Sequence, residues 1–356
     1  MRRESRAMKA LLMSRYRNLE VADLPAPVPT ADEVLVRVAA CGICGSDVHG
    51  YDGSTGRRIP PIVMGHEAAG TIAACGAAVA DFAVGDRVTF DSTIYCGDCA
   101  HCRRGAANLC DRRQVLGVSC GDYRRAGAFA ELVAVPARIV YRLPDDFSFA
   151  EAALLEAVAV AIHGVKLAKV SAATTALVVG AGNIGLLTLQ ALRAAGCTRV
   201  LVTDVDEQRL ALARRLGATE TRLARPHDDG LLPAIHALTD GQGVDVALEC
   251  VGRDDTVAAA IDVVRKGGTV VLVGNITPNV NLPLQKVVSR QICLQGSCAS
   301  AGEYPQAIAW MASGAIDVKP LISAVVPLEE GPRWFERLYA REPNLMKVVL
   351  IPGSSS

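Results

Sequence analysis

The run Leu177-Val178-Val179-Gly180-Ala181-Gly182-Asn183-Ile184-Gly185 decides the architecture of the second half of this chain. Residues 171–192 carry no charge and are numerous enough to cross a bilayer. Three glycines and several hydroxyl residues interrupt them, so they read instead as a buried strand, a turn and a helix. The turn has the pattern G-x-G-x-x-G, which is weak alone and gains meaning from the strand before it and the helix after it. Gly180 permits the tight turn, Gly182 lets backbone approach a pyrophosphate, and Gly185 lets the helix pack on the strand. With Asn183 and Ile184, these residues open a helix whose free N–H groups and dipole favour phosphate. Asp204 follows at the end of the next strand, close to the usual spacing of ~20 residues for an acid that holds a ribose. It would accept hydrogen bonds from the hydroxyls of NAD and repel the 2′-phosphate of NADP; Arg209, the nearest cation, is expected one helical turn on. The competing reading is a generic strand–turn–helix with an incidental acid.

Outward from the turn, strands alternate with helical stretches. Strand 177–179 leads into 184–195, 199–203 into 206–216, and 244–248 into 254–265, followed by a strand at 269–273. This alternation predicts βαβ units in a doubly wound parallel sheet. Residues 150–168 are Ala-rich and helical in pattern. Before them, short Val-rich runs between turn residues, such as 33–38 and 85–90, predict an antiparallel, barrel-like β region. The tail 346–351 reads as a last strand that returns to this first region.

The chain has 356 residues, more than one ordinary domain. It carries 37 basic and 37 acidic residues, so no basic excess points to nucleic acid. Hydrophobic residues make up 51%, which supplies a large core. Residues 1–6 are charged, but no apolar signal core follows them. The expectation is therefore a cytoplasmic protein, with no membrane partner.

In such a compartment, twelve cysteines indicate metal more than disulfides. Cys96, Cys99, Cys102 and Cys110 put four thiols within a short loop, the spacing of a closed, structural zinc site. Unpaired or iron–sulfur cysteines remain the alternative. His101, inside the cluster, is surplus to four ligands. Other ligand-type residues are scattered: Cys44, His66 with Glu67, and Glu156, an acid in an apolar run that is costly unless paired or coordinated. Spacing alone does not show that these four meet.

Taken in order, Cys44-Gly45-Ser46-Asp47-Val48-His49, Gly65-His66-Glu67, Gly85-Asp86-Arg87-Val88, the four cysteines, Gly127-Ala128-Phe129-Ala130-Glu131 and the glycine turn resemble the zinc-dependent medium-chain dehydrogenase/reductase superfamily. Within it the chain is similar to the polyol branch, over essentially its whole length. The resemblance implies an α/β protein with a β-rich GroES-like catalytic domain at 1–158 and 296–356. A Rossmann cofactor domain with a doubly wound parallel sheet would occupy 159–295. It implies two zinc ions per chain and NAD. Cys44 and His66 match catalytic zinc ligands. Glu67 matches a glutamate that ligates or approaches the metal, and Glu156 stands where alcohol dehydrogenases use a cysteine. Ser46 matches the hydroxyl of a proton relay and His49 its outer base. Lys347 matches a basic position near the cofactor phosphates, and the cofactor site is expected to include Cys250, Val251, Val273 and Gly274. Cys41 is expected to be a small buried residue without a ligand role.

Two departures stand out: Ala157 follows Glu156 where the branch usually has proline, and Asn183 replaces a proline of the turn. The implied reaction moves hydride between a secondary alcohol of a polyol or sugar derivative and NAD, giving the ketone. A simple secondary alcohol, a diol or threonine is the alternative substrate. A catalytically silent dinucleotide-binding protein is the alternative of a different class. The resemblance also implies a homodimer or homotetramer, joined near 270–300.

Overall fold

The structure is a computed structural model, and it describes residues 7–225 and 230–353. The charged first six residues and the terminal serines lie outside the described residues. The chain divides into two units: Met1–Glu156 with Leu321–Ser356, and Ala157–Pro320.

In the first unit, the strand Glu33–Gly42 is central. It pairs antiparallel with Glu67–Cys75, with Leu132–Pro136 and with the final strand Lys347–Ile351. These belong to a seven-stranded sheet that Arg87–Phe90, Val140–Arg142 and Ile322–Pro327 complete. A three-stranded sheet is built on Ala7–Arg15 and Asn18–Pro25. Along Glu33–Gly42 the alternate residues Val34, Val36, Val38 and Ala40 are fully or almost fully buried, the period-2 pattern of a strand with one face on a core. Phe90, Phe129 and Phe335 fill that core. The tail strand therefore returns to the first region, as its sequence predicted.

The second unit carries a six-stranded sheet in which every pairing is parallel. Thr175–Val179 lies between Arg199–Asp204 and Val244–Glu249, and all five of its residues are buried, as both faces of such a sheet are covered. The helices Asn183–Ala194, Glu207–Arg215 and Asp254–Val263 follow their strands where the sequence placed them, within a few residues. The third ends at Val263 rather than 265: Val264 is extended and opens the strand Val264–Leu272. Gly180 sits at φ +95°, and a Cβ on Gly185 would come 1.7 Å from the Gly180 carbonyl oxygen. The turn therefore tolerates no side chain at 185.

The unit boundary differs from the expected 159–295. The second unit continues to Pro320 because the helix Tyr304–Ala312 is tied into it. Glu303, at that helix's start, accepts from Lys166 Nζ at 3.3 Å and lies 3.2 Å from His163 Nδ1. Asp317 N–H donates to Gln190 Oε1 at 2.7 Å. Among the described residues, no helix is long and apolar enough to cross a membrane.

Candidate metal and cofactor sites

The four-cysteine loop begins at Cys96. Cys99 caps the short helix Ala100–Arg103, its sulfur accepting from Cys102 N–H at 3.5 Å. Cys110 Sγ accepts from the N–H groups of Cys96 and Arg112, each at 3.3 Å. The backbone N–H groups of Cys102 and Asp111 bring the Cys99 thiol down to about 6. Sulfur–sulfur separations are 3.8 Å for Cys96–Cys102, 3.5 Å for Cys99–Cys102 and 3.4 Å for Cys96–Cys110. Zinc–sulfur bonds of ~2.3 Å at tetrahedral corners put sulfurs ~3.8 Å apart, so the donor set fits zinc. His101 is occupied elsewhere, 3.0 Å from Arg104 Nη2 and 3.7 Å from Asp111.

The second cluster is assembled from two separate stretches of the sequence. Cys44 caps the helix Gly45–Gly50, and its sulfur accepts from Ser46 N–H. His66 lies in the turn before the strand Glu67–Cys75 and is 5% exposed. Glu67 opens that strand, opposite Gly42. Ligand atoms of Cys44, His66 and Glu67 all lie within 4.8 Å of one another. Sulfur, imidazole and carboxylate together suit zinc. His66 Nδ1 is buried, 3.5 Å from Asp47 Oδ1, in ion-pair range but without a hydrogen bond. Its Nε2 lies 3.5 Å from Ser46 Oγ.

Glu156 stands outside the three-residue cluster. Ser92 Oγ donates to its Oε1 at 3.2 Å, and burial pushes its carboxyl up to about 7. Glu67 has a different environment: Lys347 Nζ donates to Glu67 Oε2 at 2.5 Å and to the Ile43 carbonyl at 3.1 Å. Side-chain exposures in this pair are 3% and 1%. Lys347, expected near the cofactor phosphates, is thus the buried counter-ion of the glutamate beside the metal cluster. His49 ends the capped helix, half-buried; burial and the nearby Arg341 charge lower its ring below the ordinary histidine range.

In the second unit, Gly180, Gly182, Asp204, Arg209, Cys250 and Val251 line one cavity of about 260 Å³. Asn183, Ile184 and Gly185 begin the helix at its glycine turn. Val273 and Gly274 donate their N–H groups to the Glu249 carbonyl, and a Cβ on Gly274 would meet Val251 backbone at 2.3 Å. Asp204 Oδ2 accepts from Ala181 N–H at 2.6 Å, and Oδ1 from Asp206 N–H at 2.9 Å. Arg209 Nε lies 3.8 Å from Asp206. Cys250 donates to Thr188 Oγ1 at 3.8 Å, and burial raises its thiol to about 12, so it is a packing residue of this cavity rather than a thiolate. Cys41 is fully buried, as expected.

Sequence reasoning missed two residues here. Asp47 was visible within Cys44–His49 but carried no assigned role. Arg58 gave no signal, since it belongs to a loop with no motif.

Residues 30–145 match the alcohol dehydrogenase GroES-like domain family, and residues 183–313 the zinc-binding dehydrogenase family. The sorbitol dehydrogenase of Bacillus subtilis (strain 168) is 36% identical over 352 residues, 97% of this chain and 98% of its own. The crystal structure of galactitol-1-phosphate dehydrogenase from Escherichia coli superposes with a TM-score of 0.89 at 28% identity, covering 97% of this chain and 100% of that one. A zinc-binding dehydrogenase target from Sinorhizobium meliloti 1021, solved bound to NADP, gives 0.88 at 33% identity, covering 98% and 100%.

Proposed function

The chain belongs to the polyol branch of the zinc-dependent medium-chain dehydrogenase/reductase superfamily, and on that premise we propose that it oxidises a secondary alcohol of a polyol or sugar derivative to the ketone with NAD. The observation that carries the reading is the convergence of Cys44, His66 and Glu67 beside the Ser46 hydroxyl. When bound, zinc at this cluster would supply Lewis-acid polarisation and NAD at the glycine turn a hydride acceptor. Cys44, His66 and Glu67 would hold the metal, and Glu156, outside that cluster, is assigned to the same site. Cys96, Cys99, Cys102 and Cys110 would hold a second zinc.

The protein's own residues do the rest. Ser46, exposed on its short helix, accepts the alcohol proton, and His49 passes it outward. Asp47 steers the His66 ring, as an outer-shell carboxylate does for a ligating histidine. Lys347 balances the charge of the buried Glu67. Gly180, Gly182, Asn183, Ile184 and Gly185 present backbone to a pyrophosphate, and Asp204 faces a ribose; Arg209, Cys250, Val251, Val273 and Gly274 complete the walls. The acids at 204 and 206 support NAD over NADP. Five thiols gathered for metal rather than paired with one another support a cytoplasmic setting. The exposed Ile276, Leu284 and Val288 support a homo-oligomer joined near 270–300.

The test is turnover of a panel of polyols, sugar phosphates and short diols with NAD and with NADP. Reduction of NAD by at least one polyol or sugar derivative is expected, and Ser46→Ala should lower kcat about 10²-fold or more. A preference for NADP would overturn the cofactor assignment. No turnover by any alcohol, with a single zinc per chain, would favour the silent dinucleotide-binding reading.

A further inference from the structure

Arg58 is 4% exposed, and a guanidinium keeps its charge in any protein interior. Its partner is Asp47, which is fully buried. Arg58 Nε and Nη2 both donate to Asp47 Oδ1, at 3.2 and 3.0 Å. That same oxygen faces His66 Nδ1, while Asp47 Oδ2 accepts from Cys44 N–H at 3.3 Å. Arg58 Nη2 also donates to Ser46 Oγ at 3.3 Å. One planar group therefore touches the relay hydroxyl directly and reaches both Cys44 and His66 through a single carboxylate.

The fold makes room for this. A Cβ on Gly50 would stand 2.3 Å from Arg58 Cγ and 3.1 Å from Arg58 Cβ. The end of the helix Gly45–Gly50 is bare where the arginine stem crosses it. Arg58 backbone is pinned from behind by a bridge to Ser119.

We propose that Arg58 is a positioning residue of the catalytic centre, a clamp that fixes the Ser46 hydroxyl and, through Asp47, the His66 ring. A hydroxyl has one hydrogen and two lone pairs. Arg58 can only donate, so it fills one lone pair of Ser46. With metal on His66 Nε2, which otherwise lies 3.5 Å from this hydroxyl, the other lone pair is left to receive a proton from substrate, and the hydrogen is left to pass onward. The clamp thereby fixes the direction in which Ser46 relays. Lysine has a shorter reach and one nitrogen in place of Nε and Nη2, so it cannot reproduce the two contacts with Asp47 together with the one to Ser46.

The part concerning Ser46 rests on the dehydrogenase reading above; the part concerning His66 does not. The test uses Arg58→Lys and Gly50→Ala in the intact zinc-loaded protein. Gly50→Ala pushes on the arginine stem while leaving every charge in place, and it serves if Arg58→Lys does not fold. Release of zinc to a chelating dye is followed alongside kcat, KM and the solvent deuterium isotope effect on polyol oxidation. In both variants one of the two zincs should leave about 10-fold faster, with the four-cysteine zinc unaffected. The kcat should fall about 10-fold with KM little changed, and the isotope effect should grow. Parental zinc release, kcat and isotope effect in both variants would overturn the clamp. So would equal acceleration of both zincs, the mark of a merely structural arginine. If the parent oxidises no polyol, but one zinc is still released faster in the variants, the dehydrogenase reading fails while the clamp on His66 stands.

Discussion

At the end of the strand Arg199–Asp204, one carboxylate is engaged twice before any ligand arrives. Asp204 takes the Ala181 N–H of the glycine turn on one oxygen and the Asp206 N–H on the other. The acid assigned to a ribose thus also staples the glycine turn. This second task is invisible in sequence, because the two residues are 23 positions apart and meet only through the parallel register of neighbouring strands. Asp204→Asn loses the charge and keeps only one acceptor oxygen. A hydrogen bond to a charged group is worth about 1.5–3 kcal/mol, so the KM for NAD should rise about tenfold or more. The preference for NAD over NADP should shrink with it. Parallel steady-state titrations of the two cofactors check this, and an unaltered ratio would mean that Asp204 does not read the ribose.

Among the elements, the helices Leu155–Ala168 and Tyr304–Ala312 are joined by an ionic knot. Glu303 is buried, and burial pushes its carboxyl upward. Hydrogen bonds from His163 and the Ala301 N–H, with the charges of His163 and Lys166, outweigh this and bring it down to about 2. A carboxylate depressed in the folded state contributes stability that is present above its ordinary value of 4.5 and lost as pH falls toward 2. Lys166 is half exposed, so screening reduces the contribution to on the order of 1–2 kcal/mol. Glu303→Gln should therefore be less stable than the parent at pH 7 by that amount. The gap should narrow as pH drops below 4.5. Urea midpoints at pH 7, 4.5 and 3.5 measure it, and a gap independent of pH would show that the ion pairs contribute nothing. The same knot explains why the unit boundary fell at Pro320. Residues 296–320 have a mixed texture, and distant pairings, of Glu303 with a helix 140 positions earlier and of Asp317 with Gln190, tie them to the second unit.

On the scale of the whole molecule, what was legible in the sequence was what is local. The strand, turn and helix at 175–194 are written in consecutive residues, and four thiols within one loop announce their own site. The Cys44–His66–Glu67 cluster was reachable only through resemblance, since sheet register at Glu33–Gly42 and Glu67–Cys75, not spacing, brings it together. Arg58 and the Lys347–Glu67 pair were beyond reach, because burial and a distant partner define them. Two metal sites of different construction should be separable by stoichiometry. Close to two zincs per chain are expected in the native protein and about one in Cys44→Ser, measured by elemental analysis. Two zincs retained in Cys44→Ser would remove Cys44 from the ligand set.

The pairing of Lys347 with Glu67 spans 280 positions and encloses the entire second unit. A ribosome making this chain releases Glu67 early and Lys347 almost last. Until then Glu67 lacks its counter-ion, and burying its charge alone is strongly unfavourable. The strand Glu33–Gly42 meanwhile waits for its neighbour Lys347–Ile351. The second unit, contiguous in sequence, is free to fold first as a unit. The metal-binding unit closes only when the chain is complete, so a prematurely terminated chain would carry a finished nucleotide fold and an open, chargeable hole where its chemistry should be.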